Sequence, residues 1–94
     1  MRRAARRDAN EPALIQLARE IGAVCINIQE PVDWLIGWRG RWYPCEVKTP
    51  KGDYTDQQVL FMGAAKEREL PVWAWRTADD VMRSLGASIG AGPR

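Results

Sequence analysis

Trp38-Arg39-Gly40-Arg41 interrupts two short apolar runs, and that break predicts an antiparallel hairpin with a tight turn. With Arg39 and Gly40 as the two turn residues, Trp38 faces Arg41, and every later pair keeps the same sum of residue numbers. Asp33 then falls directly opposite Glu46. Opposed residues of an antiparallel pair point to one face, with Cβ atoms roughly 5 Å apart. Lys48, two residues past Glu46, shares that face. Two carboxylates and an ammonium therefore converge at one end of the hairpin. Like charges directly opposite each other destabilise a strand pair, so a hairpin that only has to fold gains little from this one. A divalent cation between the carboxylates reverses the sign of the interaction. The pattern is that of a metal site with a lysine beside it, a set of groups suited to phosphodiester hydrolysis.

Ninety-four residues make one domain, near the small end of what folds alone. A core this thin favours dimerisation. Net charge is only +2, so the chain carries no wholesale basic coat, but its cations cluster. Arg2, Arg3, Arg6 and Arg7 crowd the N-terminus, and Arg39, Arg41, Lys48 and Lys51 flank the candidate site. Clusters of this kind meet phosphate, or else lie on a solvated tail. The two cysteines, Cys25 and Cys45, have no partners at metal-ligand spacing, and there is no histidine. That excludes a zinc finger and a Ser-His-Asp triad. Both cysteines sit in strand-like apolar runs and read as buried free thiols, which fits a reducing cytoplasm. No apolar signal core follows Met1 and no run reaches membrane-span length, so a soluble, cytoplasmic protein is expected.

Along the chain, Asp8 or Asn10 is placed to cap a helix ending at Ile21, with Pro12 in its first turn and Gly22 as its stop. Leu14, Leu17, Ala18 and Ile21 form its buried stripe. Val24 to Ile28 is a strand, and Val32 to Trp38 with Arg41 to Lys48 the hairpin. Trp34, Ile36, Tyr43, Cys45 and Val47 fall on the face opposite the acids and should pack on the core. After a polar loop, Thr55 and Gln58 make a capping box for a helix to about Glu69. Val59, Leu60, Met62 and Gly63 are expected on its packing side. Val72 to Trp75 is a strand, and Thr77 with Asp80 opens a last helix to Leu85-Gly86. The segments 1–8 and 87–94 are expected to be flexible tails. The order α-β-β-β-α-β-α predicts an α/β fold, a central mixed sheet flanked by helices.

This arrangement, a hairpin bearing Asp33 and Glu46-Val47-Lys48 between helices and followed by a strand, resembles the restriction-endonuclease-like core of the PD-(D/E)XK nucleases. The first acid stands in Pro31-Val32-Asp33, one residue looser than the Pro-Asp of the family name. More closely, the chain is similar to the VRR-NUC domain (virus-type replication-repair nuclease), found alone in phages and fused at the end of the Fanconi-associated nuclease. Asn10-Glu11 opening the first helix, Asp33, Glu46-Val47-Lys48 with Thr49-Pro50, and Thr55 to Gln58 carry the likeness, which covers about residues 8 to 76. It implies a metal-dependent, structure-selective DNA endonuclease. In the standalone phage type it further implies a homodimer, inside a bacterial host, that resolves branched DNA such as Holliday junctions.

Chemistry assigns the roles. Asp33, Glu46 and the Val47 carbonyl offer hard oxygen ligands for Mg²⁺ or Mn²⁺. Lys48 orients or deprotonates water, or neutralises charge on the phosphate. Glu11 holds a second metal or a bridging water, or is an ordinary first-turn acid. The resemblance gives Gln58 a place beside Lys48, with Gln57 as its alternate, although Gln58 also serves the capping box. Arg39, Arg41, Lys51, Arg6 and Arg7 are candidates for DNA-backbone contacts. Two other readings remain open: a non-catalytic DNA-binding or assembly module, and a restriction-type or RNA-cleaving nuclease.

Overall fold

A computed structural model describes residues 9–86. The turn forms as expected: Arg39 (φ 51°) and Gly40 (φ 85°) both occupy the left-handed region, as a two-residue type I′ hairpin loop demands. It joins β2 (Trp34–Trp38) to β3 (Arg41–Val47), with Trp38 opposite Arg41 and Trp34 opposite Cys45. β1 (Val24–Asn27) pairs antiparallel with β2, and β4 (Trp73–Trp75) parallel with β3. The sheet is four-stranded and mixed, ordered β1-β2-β3-β4. With α1 (Glu11–Ile21), α2 (Asp56–Glu67) and α3 (Ala78–Val81), the element order is the expected one.

Strand alternation divides the sheet into two unlike faces. Cys25, Trp34, Ile36, Cys45, Val47 and Trp75 point one way and form a single buried cluster with Leu14, Ile15 and Ala18 of α1, Val81 of α3, and Leu85. Tyr43 stacks on Trp73 at 4.0 Å between ring centroids along the same face. The hairpin side chains expected on the core are there, and both cysteines are buried and free. Burial pushes both thiols up, strongly so at Cys45.

The opposite face carries Ile26, Leu35, Gly37, Trp42, Pro44 and Glu46, and α2 covers only part of it. Only Gln58 and Ala65 of α2 are buried. The expected packing side needs correction. Val59, Leu60 and Gly63 are exposed, while Phe61 and Met62 are half-buried. Four consecutive apolar residues, Val59 to Met62, point in every direction around a helix, and the sheet takes the 58/61/65 side.

The ends of elements also differ from expectation. Asp33 lies just before β2, because its carbonyl accepts the amides of Ile28 (2.8 Å) and Gln29 (3.0 Å) in the preceding loop. Asn10 precedes α1 without capping it through its side chain. α2 stops at Glu67, and Glu69 (φ 58°) turns the chain toward β4. The last helix is one α-turn followed by a π-helical turn, Met82–Gly86. The indole Nε1 of Trp75 donates to Ser84 Oγ at 3.0 Å and ties that turn down. Both capping boxes form: Thr55 with Gln58, and Thr77 with Asp80. Arg6, Arg7 and the two expected tails lie outside the described residues.

Candidate active site

The hairpin register places Asp33 beside Glu46, and Glu46 is only 1% exposed. The Asp33 amide donates to Glu46 Oε1 at 3.2 Å. Glu46 Oε2 lies 3.4 Å from Lys48 Nζ in an ion pair, yet it is buried and has no hydrogen-bond donor. The Glu46 pKa is pushed up to about 8, first by burial and then by the neighbouring Asp33 carboxyl, with Lys48 opposing. Two acids forced together and partly dehydrated hold a proton to neutrality in place of a cation. An underbonded carboxylate oxygen beside a second carboxylate offers the hard donors Mg²⁺ or Mn²⁺ take. The residues present therefore fit the expected metal. The Val47 backbone, expected to give a further oxygen, ends β3 between Glu46 and Lys48.

Lys48 follows directly on β3, and its position is fixed through its backbone. Its amide donates to the Trp75 carbonyl at 3.0 Å. Its carbonyl accepts Asn10 Nδ2 at 3.0 Å, and the same amide nitrogen reaches the Arg76 carbonyl at 2.8 Å. Asn10 thus clips the start of α1 to the ends of β3 and β4. Arg76 fastens the loop that follows. Its Nη1 donates to the carbonyls of Thr49 and Gly52, each at 2.7 Å, and its guanidinium lies over the Tyr54 ring at 5.1 Å. Neither role was foreseen: Asn10 read as a helix cap, and a lone arginine after a strand carries no sequence signal for a loop clamp.

Other expected residues are distributed less simply. Glu11 is buried, but it accepts a hydrogen bond from the indole Nε1 of Trp34. Trp34 belongs to the packed face, opposite in alternation to Asp33. Among the described residues no group of three or more His, Cys, Asp or Glu side chains is arranged to hold a metal. Gln58 is buried at the start of α2, and its Oε1 accepts the Thr55 amide at 2.9 Å, so at least this half of its amide serves the cap. Gln57 is exposed and shares a shallow cleft with Glu30 and Pro31, just before Asp33. Lys51 stands exposed on the loop held by Arg76. Arg39 and Arg41 are also exposed, but they occupy the turn at the far end of the hairpin. That turn lies five residues along β3 from Glu46, roughly 17 Å away, so the tip arginines do not flank the acids.

Taken together, the site has two acids, one able to hold a proton near pH 8, a paired lysine, and Lys51 exposed on the loop beside them. Comparison with protein-family models, with curated proteins and with solved structures finds no match to this chain. No helix among the described residues is long and apolar enough to cross a membrane.

Proposed function

We propose that the protein is a divalent-metal-dependent endonuclease of the restriction-endonuclease-like, VRR-NUC type, working as a homodimer on branched DNA. The observation that carries the reading is the carboxylate pair of buried Glu46 and half-buried Asp33, with Lys48 3.4 Å from Glu46. Folding gains nothing from setting a second acid against one as deeply buried as Glu46. A cation held by Asp33 and Glu46 would polarise the scissile phosphate and lower the pKa of an attacking water.

The chain's own groups do the rest. Asp33 and Glu46 supply the negative charge and oxygen donors that define where the phosphate sits. Lys48 takes or gives a proton at the attacking water, or balances charge growing on the phosphate oxygens. Asn10 holds Lys48 in place through its carbonyl. Lys51 and the tip arginines address backbone phosphates, which position a duplex without reading its sequence. A duplex laid along the hairpin covers the stretch from the acids to the tip in about five base pairs. Among the described residues every element belongs to the sheet or to the helices around it, with none set apart for base reading, so selection is assigned to DNA shape. A two-fold dimer presents two sites at one separation and angle, matching paired scissile phosphates of a four-way junction. Two buried free thiols suit a reducing, cytoplasmic setting.

The test is one sequence presented as four-way junction, flap and linear duplex, with Mg²⁺, with Mn²⁺ and with chelator. Metal-dependent cutting that favours the junction is expected, with binding that weakens steeply as salt rises. Binding without cutting in every metal would leave a DNA-binding module. Cutting confined to one short sequence would indicate a restriction-type enzyme, and cutting of RNA alone a ribonuclease.

A further inference from the structure

The sheet face that bears the acids continues into a broad apolar surface at its other end. Val24 lies opposite Gly37, which lies opposite Trp42. The Trp42 ring covers Gly37 so closely that a Cβ there would sit 2.9 Å from it. Gly37 thus lets the indole lie flat across the sheet toward β1. Exposure is high along this band: Val24 53%, Trp42 53% and Ile26 44%. Beyond Trp42 an apolar groove of about 540 Å³ runs between β3 and the end of α2, floored by Pro44, Ala64 and Ala65. Its rim carries Leu70, 57% exposed, and one turn before Ala64 stands Leu60, 73% exposed.

We infer that this surface is the seat of a second copy of the chain. The inference rests on the functional reading above for its choice of partner, while the surface itself is located by exposure and groove shape. The five named side chains leave on the order of 500 Å² of apolar area in water, at the upper end for the largest patch of a monomer. With the half-buried groove wall, that approaches the ~800 Å² per partner of a stable interface. An isologous two-fold contact sets a patch against itself, so a charged centre would repel its own copy. Here the centre is uncharged, and Arg68 at the groove has Glu67 at 3.8 Å. The patch also offers both halves of a fit: bulky, projecting Trp42 and Leu60, and a groove floored by small residues. Trp42 and Glu46 are four residues apart on one strand face, roughly 13 Å. Seating a copy here fixes the two acid pairs close to the interface and related by its two-fold axis.

The experiment is sedimentation velocity without DNA, on the full chain from submicromolar to 100 µM, for the parent, Trp42→Glu, Leu60→Lys and Met82→Lys, with circular dichroism confirming the fold. Leu60 is exposed enough for lysine to be tolerated even if Trp42→Glu unfolds. Met82 is exposed as well, but it belongs to the π-helical turn on the packed side of the sheet. A dimer is expected for the parent and Met82→Lys. Trp42→Glu and Leu60→Lys should weaken it on the order of 100-fold or more, since each change enters the interface twice. A monomeric parent, or a dimer that survives Leu60→Lys, overturns the assignment. The nuclease reading fails separately: a dimer that never cuts DNA spares this surface, and a monomer that cuts spares the acids.

Discussion

The two faces of the sheet use the same strands for opposite ends. On one, Cys25, Trp34, Ile36, Cys45, Val47 and Trp75 join a single cluster with α1, α3 and Leu85. On the other lie buried Glu46 with half-buried Asp33, a lysine and an apolar patch that α2 leaves open. The first face removes its apolar side chains from water, although the Trp38 indole Nε1 is buried there without a hydrogen-bond partner. The second departs further, with an underbonded carboxylate oxygen on Glu46 and with Trp42 and Leu60 in solvent. A 94-residue chain has little stability to spare. A buried acid beside an exposed apolar band sets that face apart, and it is the face to which the proposed function assigns the work.

The contrast can be broken most sharply at Asp33 and Lys48. Asp33→Asn should abolish cleavage while the folded spectrum persists. Lys48→Ala should keep metal and DNA binding but lower turnover by ~10²–10⁴, the range for a positioned acid–base group. Single-turnover kinetics on a junction substrate decides both, and parental rates in either variant would make that residue a bystander. On the packed face the expected loss is in stability alone. Ile36→Ala should cost about 2–5 kcal/mol by denaturant titration, and a loss below ~1 kcal/mol would mean that this face is not the principal core.

Smaller effects sharpen the boundary between the faces. Arg76→Ala removes two short hydrogen bonds to loop carbonyls and should cost about 1–3 kcal/mol, with turnover falling as the segment after Lys48 loosens. Equal loss of stability with unchanged turnover would confine Arg76 to a structural role. Gln58→Glu keeps a side-chain acceptor for the capping box but removes the amide donor. Stability should stay within ~0.5 kcal/mol, while turnover drops by roughly tenfold, the worth of one hydrogen bond to the site. Unchanged turnover would assign Gln58 to the cap alone.

The hairpin could be read in advance because two constraints agreed on it. The Arg39-Gly40 turn set the register, and period-two alternation set the faces, so the pairing of Asp33 with Glu46 followed. Both capping boxes were legible for a similar reason, since their geometry is local to four residues. α2 was not, because Val59 to Met62 have no helical period to betray which side packs. Glu11 and Asn10 sit at the correct end of α1, but sequence does not give the rotation of a helix about its axis. That rotation sends Glu11 to Trp34 and Asn10 to the Lys48 carbonyl. The Arg76 clamp depends on β4 lying parallel to β3, a long-range pairing no local pattern encodes.

The claim that Asp33 and Glu46 are kept for function and not for the fold rests most directly on Glu46→Gln, followed for metal-free stability and for cleavage on the same preparation. The Glu46 pKa is raised from 4.5 to about 8 in the folded chain. Folded protein therefore holds a proton that unfolded chain releases between those values, and parental stability falls as pH rises through that window. Glutamine does not titrate. The account expects Glu46→Gln to flatten that slope, to match or exceed the parent in stability at pH 8, and to lose metal-dependent cleavage. A variant that unfolds more readily than the parent at pH 8, or that still cuts junction DNA at the parental rate, would contradict it.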